Sequence, residues 1–215
     1  MSKSPHIIAE VRPRSNGRPR CGGCGRQRPG YDTTKKPRLF KFVPLWNIPV
    51  SISYTMRRVD CPGCGIKTEK VPWADGKFTS CNVFRHFLAT WARRLSWKET
   101  ATSFNTSWDN VCNSVKWVVD YGLEHRDLDG VEAIGVDEVA YSKGHHYMTL
   151  VYQIDNKSKR LISVIKDRKT QSLEGFFEKM GTPWCENIKV ACSDMWRPYL
   201  KVIADKLPNA LNILD

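Results

Sequence analysis

Apolar positions along this 215-residue chain follow two different rhythms. In the middle the spacing is helical. Phe84, Phe87, Leu88, Trp91 and Leu95 fall on one stripe, which predicts a helix over about 80–95. Ser96 and Glu99 supply the serine and glutamate of a capping box, so a second, short helix starts there and ends near Asn105. Thr106 or Ser107 then caps a third helix, whose inner stripe is Trp108, Val111, Val115 and Val118. From Val131 onward the runs become strand-like: 131–139, 146–154 and, after the turn Asp155-Asn156-Lys157-Ser158, 161–166. A helix follows from Thr170 to Met180 with Leu173, Phe176 and Phe177 inside. Strand 188–192, helix 195–206 and the apolar run 210–214 complete the pattern.

Short helix, tight turn and longer helix is the order of a helix-turn-helix, whose last helix enters the major groove N-terminal end first. That geometry turns Ser107, Asp109, Asn110, Asn113 and Ser114 outward as groove-facing residues. A plain three-helix bundle fits the same pattern, because this face carries no base-reading arginine and residues 71–130 hold 7 Lys+Arg against 7 Asp+Glu.

Charge is distributed unevenly. The net charge is +12, and residues 1–70 hold 15 Lys+Arg against only 4 Asp+Glu. Such a block suits a polyanion, since each cation placed on a phosphate releases condensed counterions; a solvated basic tail is the competing reading. No apolar run approaches the length of a membrane span, and the polar N-terminus has no signal-like core, so the expectation is a cytoplasmic chain without membrane contact.

Eight cysteines in such a chain argue against a disulfide framework. Four of them form matched knuckles, Cys21-Gly22-Gly23-Cys24-Gly25 and Cys61-Pro62-Gly63-Cys64-Gly65. Each knuckle presents two thiolates to one ion, and its trailing glycine takes the positive φ of the turn. Cys21, Cys24, Cys61 and Cys64 are therefore expected to hold structural zinc, with a pair of redox dithiols as the alternative. The 36 residues between Cys24 and Cys61 call for a hairpin of their own. Four thiolates on zinc contribute about −2, which leaves the block basic. Phe40, Phe42, Trp46 and Tyr54 are expected to form its small core, with base-stacking platforms as the competing reading, and Val71–Gly76 a linker.

Asp137 and Asp194 each end an apolar, strand-like run, in Gly135-Val136-Asp137-Glu138 and Cys192-Ser193-Asp194-Met195-Trp196. A carboxylate there is held by the sheet yet reaches solvent, as a ligand to a shared cation must. Either aspartate alone is also a common turn starter or helix cap.

The order strand, strand, strand, helix, strand, helix, strand matches the ribonuclease-H-like fold, in which the first and fourth strands are neighbours. Together with Arg57-Arg58-Val59-Asp60-Cys61-Pro62-Gly63-Cys64-Gly65, Thr68-Glu69-Lys70-Val71-Pro72-Trp73-Ala74, Gly135-Val136-Asp137-Glu138, Lys143-Gly144-His145 and Asp194-Met195-Trp196-Arg197-Pro198-Tyr199, the sequence resembles bacterial insertion-sequence transposases of the ISL-three group, which use DDE chemistry. The resemblance implies an α+β multidomain chain: a basic zinc-binding module over 1–74, a helix-turn-helix domain over 75–128 and a partial ribonuclease-H-like domain over 129–215 that lacks its last helices. It makes Asp137 and Asp194 the first two catalytic carboxylates, holding magnesium or manganese. No residue here matches the family's third, a glutamate; Asp215 offers a side-chain and a terminal carboxylate beside the fourth strand, with a frayed C-terminus as the favoured reading. Little strand transfer is expected from such a ligand set.

Arg57, Arg58, Ser107, Asn110, Asn113, Lys143 and His145 are the implied DNA contacts, the last two alternatively an edge-strand charge cluster. The implied partner is double-stranded DNA at the element's terminal inverted repeats. A sheet face left bare by the missing helices would favour a homo-oligomer. The competing functions are a catalytically inactive DNA-binding regulator of the mobile element and a zinc-ribbon RNA-binding protein.

Overall fold

Alternation in the first seventy residues builds two small sheets rather than one. The computed structural model describes residues 5–144, 146–155 and 159–214, and divides the chain into two compact units that meet at Arg126/Asp127. In the first unit, β1 (Ile7–Val11), β3 (Arg38–Leu45) and β4 (Ile48–Tyr54) form a sheet of order β1-β4-β3; β2 (Gly30–Thr33), β5 (Arg57–Cys61) and β6 (Gly65–Thr68) form another, β2-β5-β6. The insert between the knuckles thus contributes β2 and the whole β3–β4 hairpin.

Phe40, Tyr54, Met56, Val71, Ala74 and Cys81 make the core of this part, with Trp73 edge-on to Phe40 and Tyr54. Two expectations change here. Val71 and Ala74 are buried, so the irregular stretch taken as a linker is packed structure. Trp46 is 91% exposed and belongs to no core, because it occupies the tip of the hairpin.

Helices α1 (Asn82–Trp91), α2 (Trp97–Ser103) and α3 (Trp108–Glu124) follow. The capping box of α2 forms as its sequence dictates: the Glu99 amide donates to the Ser96 hydroxyl, and the Ser96 amide to the Glu99 carboxylate. Ser107 caps α3. Phe84 and Leu88 meet Ala101 and Val111 in the bundle core. Trp108, expected inside, is half exposed beside Trp97. An apolar stripe alone would not reveal Arg85, which is 2% exposed. Its guanidinium lies 4.0 Å from the Phe78 ring and 4.5 Å from Trp117, tying α1 to α3 by cation–π contacts in a desolvated slot.

The second unit is one five-stranded sheet of order β11-β10-β7-β8-β9. Its elements are β7 (Ala133–Ser142), β8 (His146–Gln153), β9 (Arg160–Ile165), α4 (Thr170–Met180), the short α5 (Thr182–Asn187), β10 (Val190–Ser193), α6 (Arg197–Lys206) and β11 (Leu211–Leu214). β7, β8 and β9 run antiparallel to one another, and β10 and β11 run parallel to β7. The sequence pattern missed α5, a short helix with Pro183 in its first turn and Cys185 buried. Ile134, Val136, Val151, Ile162 and Ala191 turn to one face and pack under α4 and α6. The other face carries Leu161, Val164, Leu211, Ile213 and Val139, all exposed, and no helix of this unit covers it among the described residues.

Candidate metal centres and nucleic-acid interface

The two knuckles close on a single point. Cys21 and Cys24 come from a turn after Arg20, Cys61 and Cys64 from the β5–β6 turn, and their four sulfurs lie within 4.8 Å of one another. Gly25 and Gly65 both take positive φ, 70° and 71°, as the trailing position requires. Gly23 lets the turns approach: a Cβ there would sit 3.0 Å from the Cys64 sulfur. Cys24 and Cys61 sulfurs are 3.7 Å apart, close to the edge of a tetrahedron built with zinc–sulfur bonds of about 2.3 Å.

Electrostatics fits a metal thiolate cluster. Burial pushes the Cys61 thiol up, but donation from the Gly63 and Cys64 amides and from neighbouring thiols outweighs it and brings the group down to about 6. Arg28 stands against Cys61 and Cys24, which raise its pKa, and its Nε is shut off from water without an oxygen partner. A guanidinium with its Nε turned in toward sulfur is what negatively charged thiolates call for. These cysteines hold structural zinc.

The arginines next to this centre are occupied within the protein. Arg57 Nε and Nη2 grip the Glu69 carboxylate at 2.9 and 2.7 Å, and its Nη1 donates to the Gly17 carbonyl. Glu69 is 3% exposed and also accepts from the Tyr54 hydroxyl and the Arg57 amide. Burial and Glu69 together push Tyr54 up to about 12. Arg58 pairs with Asp32 and lies over the Tyr31 ring. Arg57 is thus held inside the module by a buried carboxylate, whereas the Arg58–Asp32 pair stays at the surface.

On α3 the outward set is narrower than expected. Ser107, Asp109 and Asn113 are exposed. Asn110 is half buried, its amide donating to Ser80 and Thr106, and Ser114 is fully buried with its hydroxyl on the Asn110 carbonyl. The missing positive charge comes from elsewhere: Lys41 of β3 and Lys77 join Ser107, Asp109, Asn110 and Asn113 around a shallow hollow of about 340 Å³. Sequence periodicity within the helices had no access to those lysines.

In the second unit the ladder between parallel strands β7 and β10 ends at Val136 and Ser193. Asp137 and Asp194 are each the next residue, both exposed. Neighbouring strands lie about 4.8 Å apart, so the backbones of the two aspartates follow directly on adjacent strands. Asp137 accepts from the Glu138 amide at 2.7 Å and Asp194 from the Trp196 amide at 3.1 Å, which orients each side chain locally. Strand β7 runs on to Ser142, paired only with β8, so Asp137 sits mid-strand rather than at the strand's end. Lys143, exposed in the turn beyond, is six residues away, about 20 Å along an extended strand. It does not join the carboxylates. His145 and Asp215 lie outside the described residues.

Glu138, to which sequence reasoning gave no role, completes the surroundings. It turns toward the helical face, with its carboxylate 3.5 Å from Arg168 Nε and its Oε1 buried and unpartnered. Burial raises its pKa; Arg168 pulls it down, while Asp194 and Asp137 push it up. Arg168 in turn lies between the Tyr147 and Trp196 rings, at 4.8 and 4.7 Å. The signal was present in the acidic neighbour of Asp137, but only alternation across the strand shows that the two point apart.

Similarity to known proteins agrees with both centres. The family model described as the zinc-finger of transposase IS204/IS1001/IS1096/IS1165 matches residues 17–64, and the ISL3 DDE model described as transposase matches residues 134–215. The chain therefore combines a zinc ribbon with a DDE transposase domain. Both models are those of ISL3-type insertion-sequence transposases, to which these two stretches of the chain are similar. It is 28% identical over 210 residues to the transposase for insertion sequence element IS1557 of Mycobacterium tuberculosis, covering 97% of this chain and 47% of that protein. It is 24% identical over 197 residues to the transposase for IS1001 of Bordetella parapertussis, covering 91% and 48%. The chain spans about half the length of these curated relatives. No described helix is long and apolar enough to cross a membrane.

Proposed function

We propose that this chain provides the DNA-binding part and two carboxylates of the catalytic centre of an insertion-sequence transposase, acting on double-stranded DNA at the terminal inverted repeats of its element. The observation that carries this reading is the emergence of Asp137 and Asp194 side by side where the β7–β10 ladder ends. The strand order β11-β10-β7-β8-β9, with helices between β9 and β11, supports a ribonuclease-H-like framework.

Asp137 and Asp194 would hold magnesium or manganese, hard cations suited to oxygen ligands. The ion, when bound, lowers the pKa of an attacking water or 3′-hydroxyl and stabilises the leaving oxygen. The protein's own part is positioning. The sheet fixes the spacing of the carboxylates, and the Glu138 and Trp196 amides aim them. Arg168, held by the Tyr147 and Trp196 rings and by Glu138, adds a positive charge beside the residue that follows Asp137.

The three helices support a helix-turn-helix reading in which α3 presents Ser107, Asp109 and Asn113 to the groove. Lys41 and Lys77 supply the phosphate contacts there. Arg57 stiffens the zinc module through Glu69, and Arg58, at the surface, remains a candidate phosphate contact.

Manganese binding, followed by its paramagnetic effect on water relaxation, tests the carboxylate pair. Asp137→Asn and Asp194→Asn should each abolish the tight component while leaving zinc content at one ion per chain. Unchanged manganese binding in both variants would remove the catalytic reading. A second reading, a DNA binder that does not cleave, is favoured by one observation: the zinc cysteines are the one cluster of three or more metal-ligating groups among the described residues. Metal-dependent nicking of a plasmid carrying the element's ends, lost in Asp137→Asn, would exclude it.

A further inference from the structure

The β3–β4 hairpin ends in a two-residue turn, Trp46-Asn47, closed by the Leu45–Ile48 pair. Both central residues have positive φ, 47° and 64°, the arrangement of a type I′ turn. Asparagine and glycine suit the first of those positions. A bulky side chain there is strained, and folding recovers nothing from the indole, which is 91% exposed. Leu45 beside it is 47% exposed, and Pro44 and Pro49 flank the tip.

The hairpin behind it is stiff. β4 is paired on both sides, with β1 and β3; Phe40 is fully buried, and Val43 packs on the helical core. An apolar wedge is thus held out on a rigid ribbon. It belongs to the segment that carries 15 Lys+Arg against 4 Asp+Glu.

We infer that Trp46 is a base-stacking wedge, inserted by the hairpin tip between base pairs of the DNA duplex that the basic first unit binds. The inference rests on the DNA-binding part of the proposed function and adds a contact that sequence reading had assigned to the core. Every base presents a π face to an indole, so stacking needs no particular sequence. An apolar wedge that unstacks one step also bends the duplex and brings more phosphates to the surrounding cations. The basic charge of the segment selects a nucleic acid over a protein groove as the occupant.

Trp46→Asn removes the indole and leaves a residue that tolerates the turn, so the fold is kept and the melting temperature should be equal or higher. Binding of the zinc-loaded chain to a short mixed-sequence duplex, followed by fluorescence polarisation, should weaken by roughly tenfold in Trp46→Asn, within the range measured for losing one stacked aromatic. Trp46→Phe should recover part of the loss, and the salt dependence should change little, because no phosphate contact is removed. A fluorescent adenine analogue walked along the duplex should brighten at an unstacked step with the native chain and not with Trp46→Asn. If the native chain binds and Trp46→Asn binds equally, with the same analogue signal, the wedge is refuted while DNA binding stands. If the variant instead loses only self-association, the tip contacts another copy and the wedge is likewise refuted. If the native chain fails to bind duplex DNA even at low salt, the DNA-binding reading falls together with the wedge.

Discussion

In the first unit the ion-binding sulfurs come from two turns that converge within 4.8 Å, whereas in the second Asp137 and Asp194 are carried by the strands of a β-ladder. The difference lies in what surrounds each pair. Among the described residues, the buried cluster of the β2-β5-β6 sheet is Cys21, Val59 and Cys61, with Cys64 packed against it. The five-stranded sheet and its helices share a core of fifteen buried residues among those described. A small core leaves folding dependent on the metal; a large one leaves the metal dependent on the fold.

Removing zinc should break that contrast most sharply. Chelation or Cys61→Ser should withdraw about 10 kcal/mol or more of binding free energy from the ribbon. Hydrogen exchange should then show β2, β5 and β6 unprotected while β7 and β10 keep their protection. Equal loss in both units would mean that the sheet too depends on zinc.

Glu69→Ala comes next. It leaves Arg57 without its carboxylate and Tyr54 without its acceptor in a buried setting, and should cost about 3 kcal/mol in urea unfolding of the first unit. In the second unit, Gly135→Ala should cost about 1–3 kcal/mol, because a Cβ there would stand 2.5 Å from the Tyr152 ring across the β7–β8 pair. Asp137→Asn, two residues on and exposed, should move stability by no more than about 0.5 kcal/mol while abolishing manganese binding. That separation of stability from ion binding is the sharpest form of the comparison.

The smallest effect is on pH dependence. Burial raises the Glu138 pKa above its ordinary 4.5, so the folded protein binds that proton more tightly than the unfolded chain does. The resulting stabilisation is complete below the unfolded value and is lost as pH rises through the folded one. Glu138→Gln should flatten the stability profile in that window, as read from urea midpoints. An unchanged slope would show that Arg168 compensates the burial in full.

How much of this was legible in the sequence differs from residue to residue for physical reasons. Knuckle cysteines carry their geometry in their spacing, and the capping box at Ser96 and Glu99 is a purely local interaction; both formed as read. The adjacency of strands β7 and β10 followed from element order. What periodicity could not give was the fate of side chains whose partners are distant along the chain. Arg57 reads as a basic residue until Glu69 folds against it, and Ser114 reads as outward until Asn110 and Ser80 close over that side of α3. Trp46 was assigned to the core on composition, though the chain needed two positive-φ residues at that point to turn β3 into β4.

The uncovered sheet face of the second unit has a colloidal consequence. Residues 127–215 hold 12 Lys+Arg against 13 Asp+Glu and display Leu161, Val164, Leu211 and Ile213 to solvent, so copies of that half attract one another with almost no charge to oppose them. Residues 1–126, with 22 Lys+Arg against 9 Asp+Glu, keep whole molecules apart at low ionic strength. Added salt shortens the reach of that repulsion, and turbidity should climb with ionic strength as the sticky face begins to dominate encounters between chains.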